Sequence, residues 1–563
     1  MKEQKTTQGK WYDAVQRYTE RLVAIKSVSP SEDEVRVAEA VVDFLKETQM
    51  EKAYTAIGLD AVEVDPYHRQ NAYAFLKGQH PQTVVLLGHI DTVGTADYGP
   101  FEQLALQPTL LAEVQDQLAE ITPGLREDLE NPASQNDWML GRGVVDMKSG
   151  VAVNIAIMRH CAQLARQGRL PLSMVLLATV DEENESAGVL QAVQFLLKLR
   201  EQYGLQYVGV INTDYTGART PGDPHRYAYT GTIGKLLPTF LVVGAESHVG
   251  EPFEGLDANL LAAQIIADLS MNETLCDEIR GQKTPPPVTL HATDLKSNYD
   301  VQLPFMAYFY LNVLTLSTTP DELLARLREH TEAALQRVLA RIEAAEQRWN
   351  TSAGVHHRAY QVFTFAELYE RVSQSRGHQQ VEETLDDEWE HSLIYFDSRV
   401  RDARERSVLL VQRLWRLSGL SGPAVVLFYS PPYYPHVGAT SCPLQDAVEA
   451  VARAHPDLLL KVEEYYPFLS DMSYLRGNPG VDLSALTQNM PLWSDEDNAQ
   501  RPGAYSLPLR EIQLLDAPFV NLGPYGRAPH QRGERLLMSY SFEILPQLIT
   551  EVIEYLAQHT TNS

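Results

Sequence analysis

Residues 173–184 read SMVLLATVDEEN, and this stretch decides the fold. SMVLLATV is an apolar, β-branched run of strand length, the pattern of a strand buried on both faces. It stops abruptly at Asp181, Glu182 and Glu183, followed by Asn184, Glu185 and Gly188. In an open α/β sheet, ligands bind at the carboxyl ends of strands. Adjacent carboxylates placed there can divide labour, one holding a cation and one moving protons. Taken alone, three acids in a row make a solvated turn; the neighbouring segments decide otherwise.

Three further segments repeat the pattern. TVVLLGHIDTV (83–93) runs from apolar strand into His89, Ile90 and Asp91. Residues i and i+2 of an extended chain project to the same side, so Asp91 can accept a ring N–H and fix the tautomer of His89 for metal binding. GRGVVDMKSG (141–150) sets Asp146 in a glycine-rich loop before a helix over 151–166. There Asp146 is either a helix N-cap or a bridging ligand on a short rigid loop. YVGVINTD (207–214) is another apolar run closing on an acid, Asp214. Chance acidic turns rarely recur so regularly.

The chain has 563 residues, more than one core usually supports, and 44% hydrophobic with 21% charged residues is ordinary globular composition. A net charge of −27 argues against nucleic-acid and anionic-membrane partners, which require basic patches. Cys161, Cys276 and Cys442 are too few and too far apart for a disulfide framework or a CxxC metal site. The N-terminal MKEQKTTQGKWYDAVQ has no apolar core of a signal peptide, and no run reaches membrane-spanning length. A soluble cytoplasmic protein is the expectation.

Outside these segments, residues 10–48 carry two amphipathic helices separated at Ser29-Pro30-Ser31. The stretch 95–140 is long, polar and leucine-rich. From 230 the pattern changes. A strand over 236–243 ends near His248, FMAYFYLNVLTLS (305–317) is an aromatic-rich strand, and a long helix is expected over 320–349. ETLDDEWE within 383–390 reads as a solvated acidic face. Residues 445–477 read as a helix followed by a loop holding Asp471, and 516–556 as a strand, a glycine-rich loop with His530 and a closing helix. The expected architecture is α/β, a mixed sheet flanked by helices with an inserted α+β lid or dimerisation domain. Its segments are 1–229 for the first part of the catalytic domain, 230–435 for the insertion and 436–563 for the second part.

Taken in order, His89-x-Asp91, Asp146 in GRGVVDMKSG, Glu182-Glu183, Asp214, His248 and His530 in GPYGRAPHQRGE resemble the co-catalytic dizinc family of aminoacylases and glutamate carboxypeptidases, clan MH. Its members include acetylornithine deacetylases, succinyl-diaminopimelate desuccinylases and bacterial dipeptidases. Length and middle region look closest to the RocB-type arginine-utilisation proteins. The resemblance implies one metal held by His89, Asp146 and Asp214, and a second held by Asp146, Glu183 and His530. It implies Glu182 as general base, Asp91 as the group orienting His89, and His248 as an oxyanion stabiliser reaching a partner subunit's site, hence a homodimer. Two divalent ions are expected, zinc by donor type, with cobalt or manganese able to fill the same set. The implied activity is hydrolysis of a small amide, an N-acyl amino acid or a dipeptide; the alternative is a non-catalytic metal-binding or regulatory protein on the same scaffold.

The sequence departs from compact members of that family in three places. The stretch between Asp91 and Asp146 is long, and the insertion is enlarged through about 320–425. The strand FMAYFYLNVLTLS lacks the arginine that binds a substrate carboxylate in many relatives; Arg399, Arg401 and Arg404 are the candidates to replace it.

Overall fold

The apolar runs before His89 and Asp181 become adjacent parallel strands, His80–His89 and Leu172–Thr179, in register with His89 opposite Thr179. On its other side His80–His89 pairs in parallel with Gln206–Asn212, Leu87 facing Asn212. Three strand ends therefore finish level, and the chain continues from them into Asp91, Glu182-Glu183 and Asp214. The computed structural model describes residues 9–63, 65–349, 359–394, 402–478, 481–494, 501 and 504–560.

These strands occupy the middle of an eight-stranded mixed sheet. Its order is Ala56–Ala61, Gln70–Leu76, Leu172–Thr179, His80–His89, Gln206–Asn212, Phe519–Asn521, Arg226–Thr232, Leu460–Tyr466. Val84, Leu86, Met174 and Leu176 are fully buried in one core with Val15 and Leu22 of the helix Tyr12–Val23, Val151 and Ile155 of Lys148–Arg166, and Leu548 and Val552 of Leu545–Thr560. Burying each such side chain contributes about 1.5–3 kcal/mol, which is why strands covered by helices read as continuous apolar runs.

The chain divides into two compact units. Unit 1 comprises Met1–Thr232, Val437–Gly477 and Pro508–Ser563; unit 2 comprises Ile233–His436 and Asn478–Leu507. Within the reading of 436–563 as one segment, the chain thus leaves unit 1 after Gly477 and returns at Pro508. Unit 2 is built on a sheet ordered Val288–Asp294, Met306–Thr315, Pro238–Val243, Ala424–Tyr429, Gln361–Thr364, and the helices Ala258–Leu269 and Pro320–Trp349 pack together. The expected helix at 320–349 and strand at 305–317 are both present.

One local expectation is extended and another corrected. ETLDDEWE lies on the helix His378–Ile394, whose Val381, Leu385 and Trp389 recur every fourth residue and are buried in the core of unit 2. The acidic residues are the outer face of an amphipathic helix that the charge run concealed. Residues after the helix Pro443–Ala454 do not run directly into loop: LKVEEYY forms the strand Leu460–Tyr466 at the sheet edge, where half-exposed charged side chains are tolerated.

Unit 2 holds one heavily committed acid. Buried Asp277 accepts backbone N–H bonds from Leu316 (2.8 Å), Ser317 (2.7 Å) and Thr318 (2.6 Å), plus the Ser317 hydroxyl (3.0 Å). Burial alone would raise its pKa, but these donors outweigh it and hold the carboxyl down at about 2, against an ordinary 3.8. A depressed carboxyl stabilises the fold above its unfolded pKa and loses that contribution as pH falls through the folded one. Asp277→Ala should therefore cost roughly 2 kcal/mol near neutrality in urea unfolding, with the deficit against wild type shrinking below about pH 4. A deficit that stays constant with pH would mean the charge contributes nothing.

Candidate active site

The level strand ends, the loop before the helix Lys148–Arg166 and the loop of residues 528–534 bring His89, Asp146, Glu182, Glu183, Asp214 and His530 together in unit 1. Asp146 is the hub. Its Oδ1 lies 3.2 Å from His89 Nε2 and its Oδ2 lies 3.0 Å from His530 Nε2. His530 Nε2 is also 3.0 Å from Glu183 Oε1, and Glu182 Oε2 is 3.8 Å from His89 Nε2. His89, Asp146 and Asp214 present one ligand atom each within 4.8 Å of one another, and so do Asp146, Glu183 and His530. A third overlapping group is His89, Glu182 and Glu183. Of the two readings of Asp146, the N-cap is not the one seen: Met147 occupies the cap position of the helix Lys148–Arg166 while Asp146 turns to the imidazoles.

The local backbone explains these positions. Gly143 has φ +78°, a left-handed turn that reverses the chain so that Asp146 enters the cluster. Gly523 lets the C-terminal loop touch the Asp214 segment: a Cβ there would lie 1.7 Å from the Asp214 carbonyl oxygen. Asn521 completes that junction, accepting from Asp214 N (3.1 Å) and donating to Asp214 O (3.0 Å).

The electrostatics all point one way: the cluster stabilises positive charge. Burial would push His89 and His530 down, yet the hydrogen-bonded carboxylates raise both, His530 to about 11. Burial first, then mutual repulsion, raises Glu182, Glu183 and Asp214, the last to about 8. Asp146 moves oppositely, its two imidazoles outweighing burial and lowering it. Two imidazoles and a majority of carboxylates, converging within bonding reach of common centres, are a donor set suited to divalent cations.

Asp91 does more than orient an imidazole. His89 Nδ1 faces the Asp91 carbonyl oxygen at 3.2 Å and Oδ1 at 3.5 Å. The same carboxylate accepts the backbone N–H groups of Glu182 (3.2 Å) and Glu183 (3.0 Å), tying two strand ends together. Asp181, the first acid of the run, does not join the cluster. It sits at φ +66°, ion-paired with buried Arg69 and accepting from Ser29 Oγ (3.1 Å) and Ala187 N (3.2 Å), so it anchors the turn. Arg69 reaches Glu34 (3.1 Å), whose other oxygen accepts Asp181 N (2.8 Å).

Sequence reasoning missed two groups. Glu534, fully buried, accepts from Val145 N (3.1 Å), Asp146 N (3.3 Å) and Arg142 (2.8 Å), bracing the Asp146 loop from the far end of the chain. Asp471, taken as a polar turn residue, is buried; Thr179 Oγ1 donates to its Oδ2 (3.0 Å), and its charge raises Glu182. The RGE run around Glu534 gave a faint signal in its Arg-Gly-Glu composition; nothing in sequence marked Asp471 as buried.

His248 belongs to unit 2, on an exposed loop after Pro238–Val243, its Nδ1 accepting from Gly250 N at 3.1 Å. Of the three candidate arginines, Arg404 is committed to Asp402 (2.6 and 2.7 Å). Arg399 and Arg401 lie outside the described residues.

Comparison with known proteins agrees with this geometry. The model of Peptidase family M20/M25/M40 matches residues 123–487. The chain belongs to peptidase family M20. It is 33% identical over 551 residues to the uncharacterized protein YqjN of Bacillus subtilis, covering 96% of each chain. It is 30% identical over 566 residues to Protein RocB of the same organism, covering 97% of this chain and 95% of that one. The crystal structure of aminopeptidase PepT from Bacillus cereus shares the fold at a TM-score of 0.50 and 11% identity, over 97% of this chain and 99% of that one. As an M20 protein the chain is a metal-dependent peptidase or amidohydrolase. Among the described residues no helix is long and apolar enough to cross a membrane.

Because Asp91 touches His89 and both backbone N–H groups of Glu182-Glu183, Asp91→Ala should weaken cation binding about 10- to 100-fold. Titration of metal-free protein with Co2+ checks this; unchanged affinity would show that the strand ends hold their places without it.

Proposed function

We propose that this M20 protein hydrolyses the amide bond of a small substrate, an N-acyl amino acid or dipeptide, amides of arginine among them. Near-full-length similarity to RocB, together with the resemblance to RocB-type arginine-utilisation proteins, supports the arginine reading. The observation that carries the mechanism is the division of labour around Asp146. One of its oxygens faces each imidazole, while Glu182 is absent from both triads that contain Asp146.

In this reading His89, Asp146 and Asp214 hold one divalent cation and Asp146, Glu183 and His530 the other, zinc being the preferred ion with cobalt or manganese as substitutes. Bound there, the pair of cations supplies a lowered pKa to water and polarisation of the scissile carbonyl. Glu182 takes a proton from the attacking water as the C–O bond forms. It then gives that proton to the amide nitrogen as the C–N bond breaks, leaving a carboxylate and a free amine. Asp91 keeps the Glu182 backbone in place through the 3.2 Å bond to its N–H. His248, on its exposed loop, is assigned to the oxyanion of the reacting carbonyl in a partner subunit, which makes a homodimer the working assembly.

Amine release from a panel of N-acyl amino acids and dipeptides, arginine derivatives included, tests the proposal. Wild type should be active, lose activity on dialysis against a chelator and regain it with zinc, cobalt or manganese. Glu182→Gln should abolish turnover by at least about 100-fold while retaining both cations, because the ligand set is untouched. Residual activity near wild type would remove Glu182 from its role. Silence of metal-loaded wild type across the panel would favour the non-catalytic alternative.

A further inference from the structure

The loop that carries His530 is the tip of a short hairpin. Its strands, Gly526–Arg527 and Arg535–Leu537, pair antiparallel with Arg527 directly opposite Arg535. Like charges facing each other across an antiparallel pair repel. The tip is strained as well: Ala528 at φ +54° and His530 at φ +58° are side-chain-bearing residues in the left-handed region. Such a conformation persists only where the surroundings impose it.

The surroundings are supplied by the long stretch between Asp91 and Asp146, which folds into the short helices Pro108–Glu113, Gln115–Glu120 and Leu125–Glu130 around their own small core. From the last of these, Asp128 places its carboxylate across the base of the hairpin. Oδ1 accepts from Arg527 at 2.6 Å, and Oδ2 accepts from Arg535 Nε at 2.7 Å and from a terminal nitrogen of the same guanidinium. Asp128 and Arg535 are 3% and 4% exposed. Arg535 is further fixed by bonds to the carbonyls of Gly533 (2.8 Å) and Gly124 (3.4 Å). One buried carboxylate thus bridges two opposed guanidiniums and offsets one of their two positive charges; without it the two repel unscreened across the base of the hairpin.

We infer that Asp128 is a positioning residue for His530: the inserted helices clamp the hairpin base through Arg527 and Arg535, and so hold the Asp146, Glu183 and His530 site in shape. The inference rests on the metal reading given above. Its consequence falls first on the site that contains His530, because His530 is the ligand carried at the hairpin tip, whereas His89 and Asp214 lie on other segments and Asp146 touches the hairpin only through Glu534. Asp128 acts chiefly on that cation site.

Metal-free protein is titrated with Co2+, followed by visible absorption and bound stoichiometry. Wild type takes up two equivalents. In Asp128→Asn one equivalent stays tight and the second weakens about 10- to 100-fold. Adding Arg527→Gln removes one of the opposed charges and restores part of the lost affinity, which a purely structural role for the helices does not explain. Two tight equivalents in Asp128→Asn, equal loss of both, or no recovery in the double variant would overturn the clamp. Should Asp128→Asn fail to fold, Arg527→Glu sets a like charge against Asp128 at a side chain 40% exposed. It should lose the same single equivalent, and unchanged binding would overturn the proposal. Wild type that binds no Co2+ sinks the metal reading itself, whereas wild type and Asp128→Asn alike at two equivalents sink only the clamp.

Discussion

Crowding of buried carboxylates at the ends of parallel strands is the constraint on which the rest of unit 1 depends. Asp91, Asp146, Asp181, Asp214, Asp471 and Glu534 are all at most 5% exposed, and Glu34 is fully buried. Ionised carboxylates survive such burial only with partners. The fold answers several of them locally: Asp91 with two backbone N–H groups, Asp181 and Glu34 with a shared Arg69, Glu534 with Arg142 and the Asp146 loop, and Asp471 with the Thr179 hydroxyl. What remains is the set that converges on Asp146 and the two imidazoles, whose acids form no ion pair with a lysine or arginine among the described residues. That residue of unmet charge is the functional demand of the site.

The same accounting separates frame from chemistry. Arg69 and Arg142, 4% and 1% exposed, are committed to acids that hold turns, so neither is available to a substrate. Buried ion pairs of this kind add little net stability but fix one arrangement of the chain, because a misplaced partner leaves an uncompensated charge. Residues far apart in sequence become mutually dependent by this route. Glu534 reaches the loop around residue 145, and Asp128 reaches both strands of the His530 hairpin.

Legibility followed burial. Runs such as TVVLLG and MVLLAT could be read because strands covered on both faces must be apolar throughout, and the ligand-type residues stand immediately beyond them. Two elements with one wet face were hidden. Among its described side chains the helix His378–Ile394 buries Val381, Leu385 and Trp389 beneath an acidic surface, and the edge strand Leu460–Tyr466 leaves Lys461 exposed and Glu463 and Glu464 half-buried. Asp91 was legible as a neighbour of His89, since i and i+2 share a side; its bonds to Glu182 and Glu183 were not, since they cross between strands.

By itself the sequence determined the class of the sheet, the order of the ligand-type residues and the family resemblance, because each is written in contiguous runs of a few residues. Only the tertiary structure decided that Asp181 turns to Arg69, that Asp91 ties the Glu182 and Glu183 backbone to the His89 strand, and that Glu534, Asp471 and Asp128 are buried supports. A carboxylate's role depends on what faces it, and for these residues the facing groups come from segments distant along the chain.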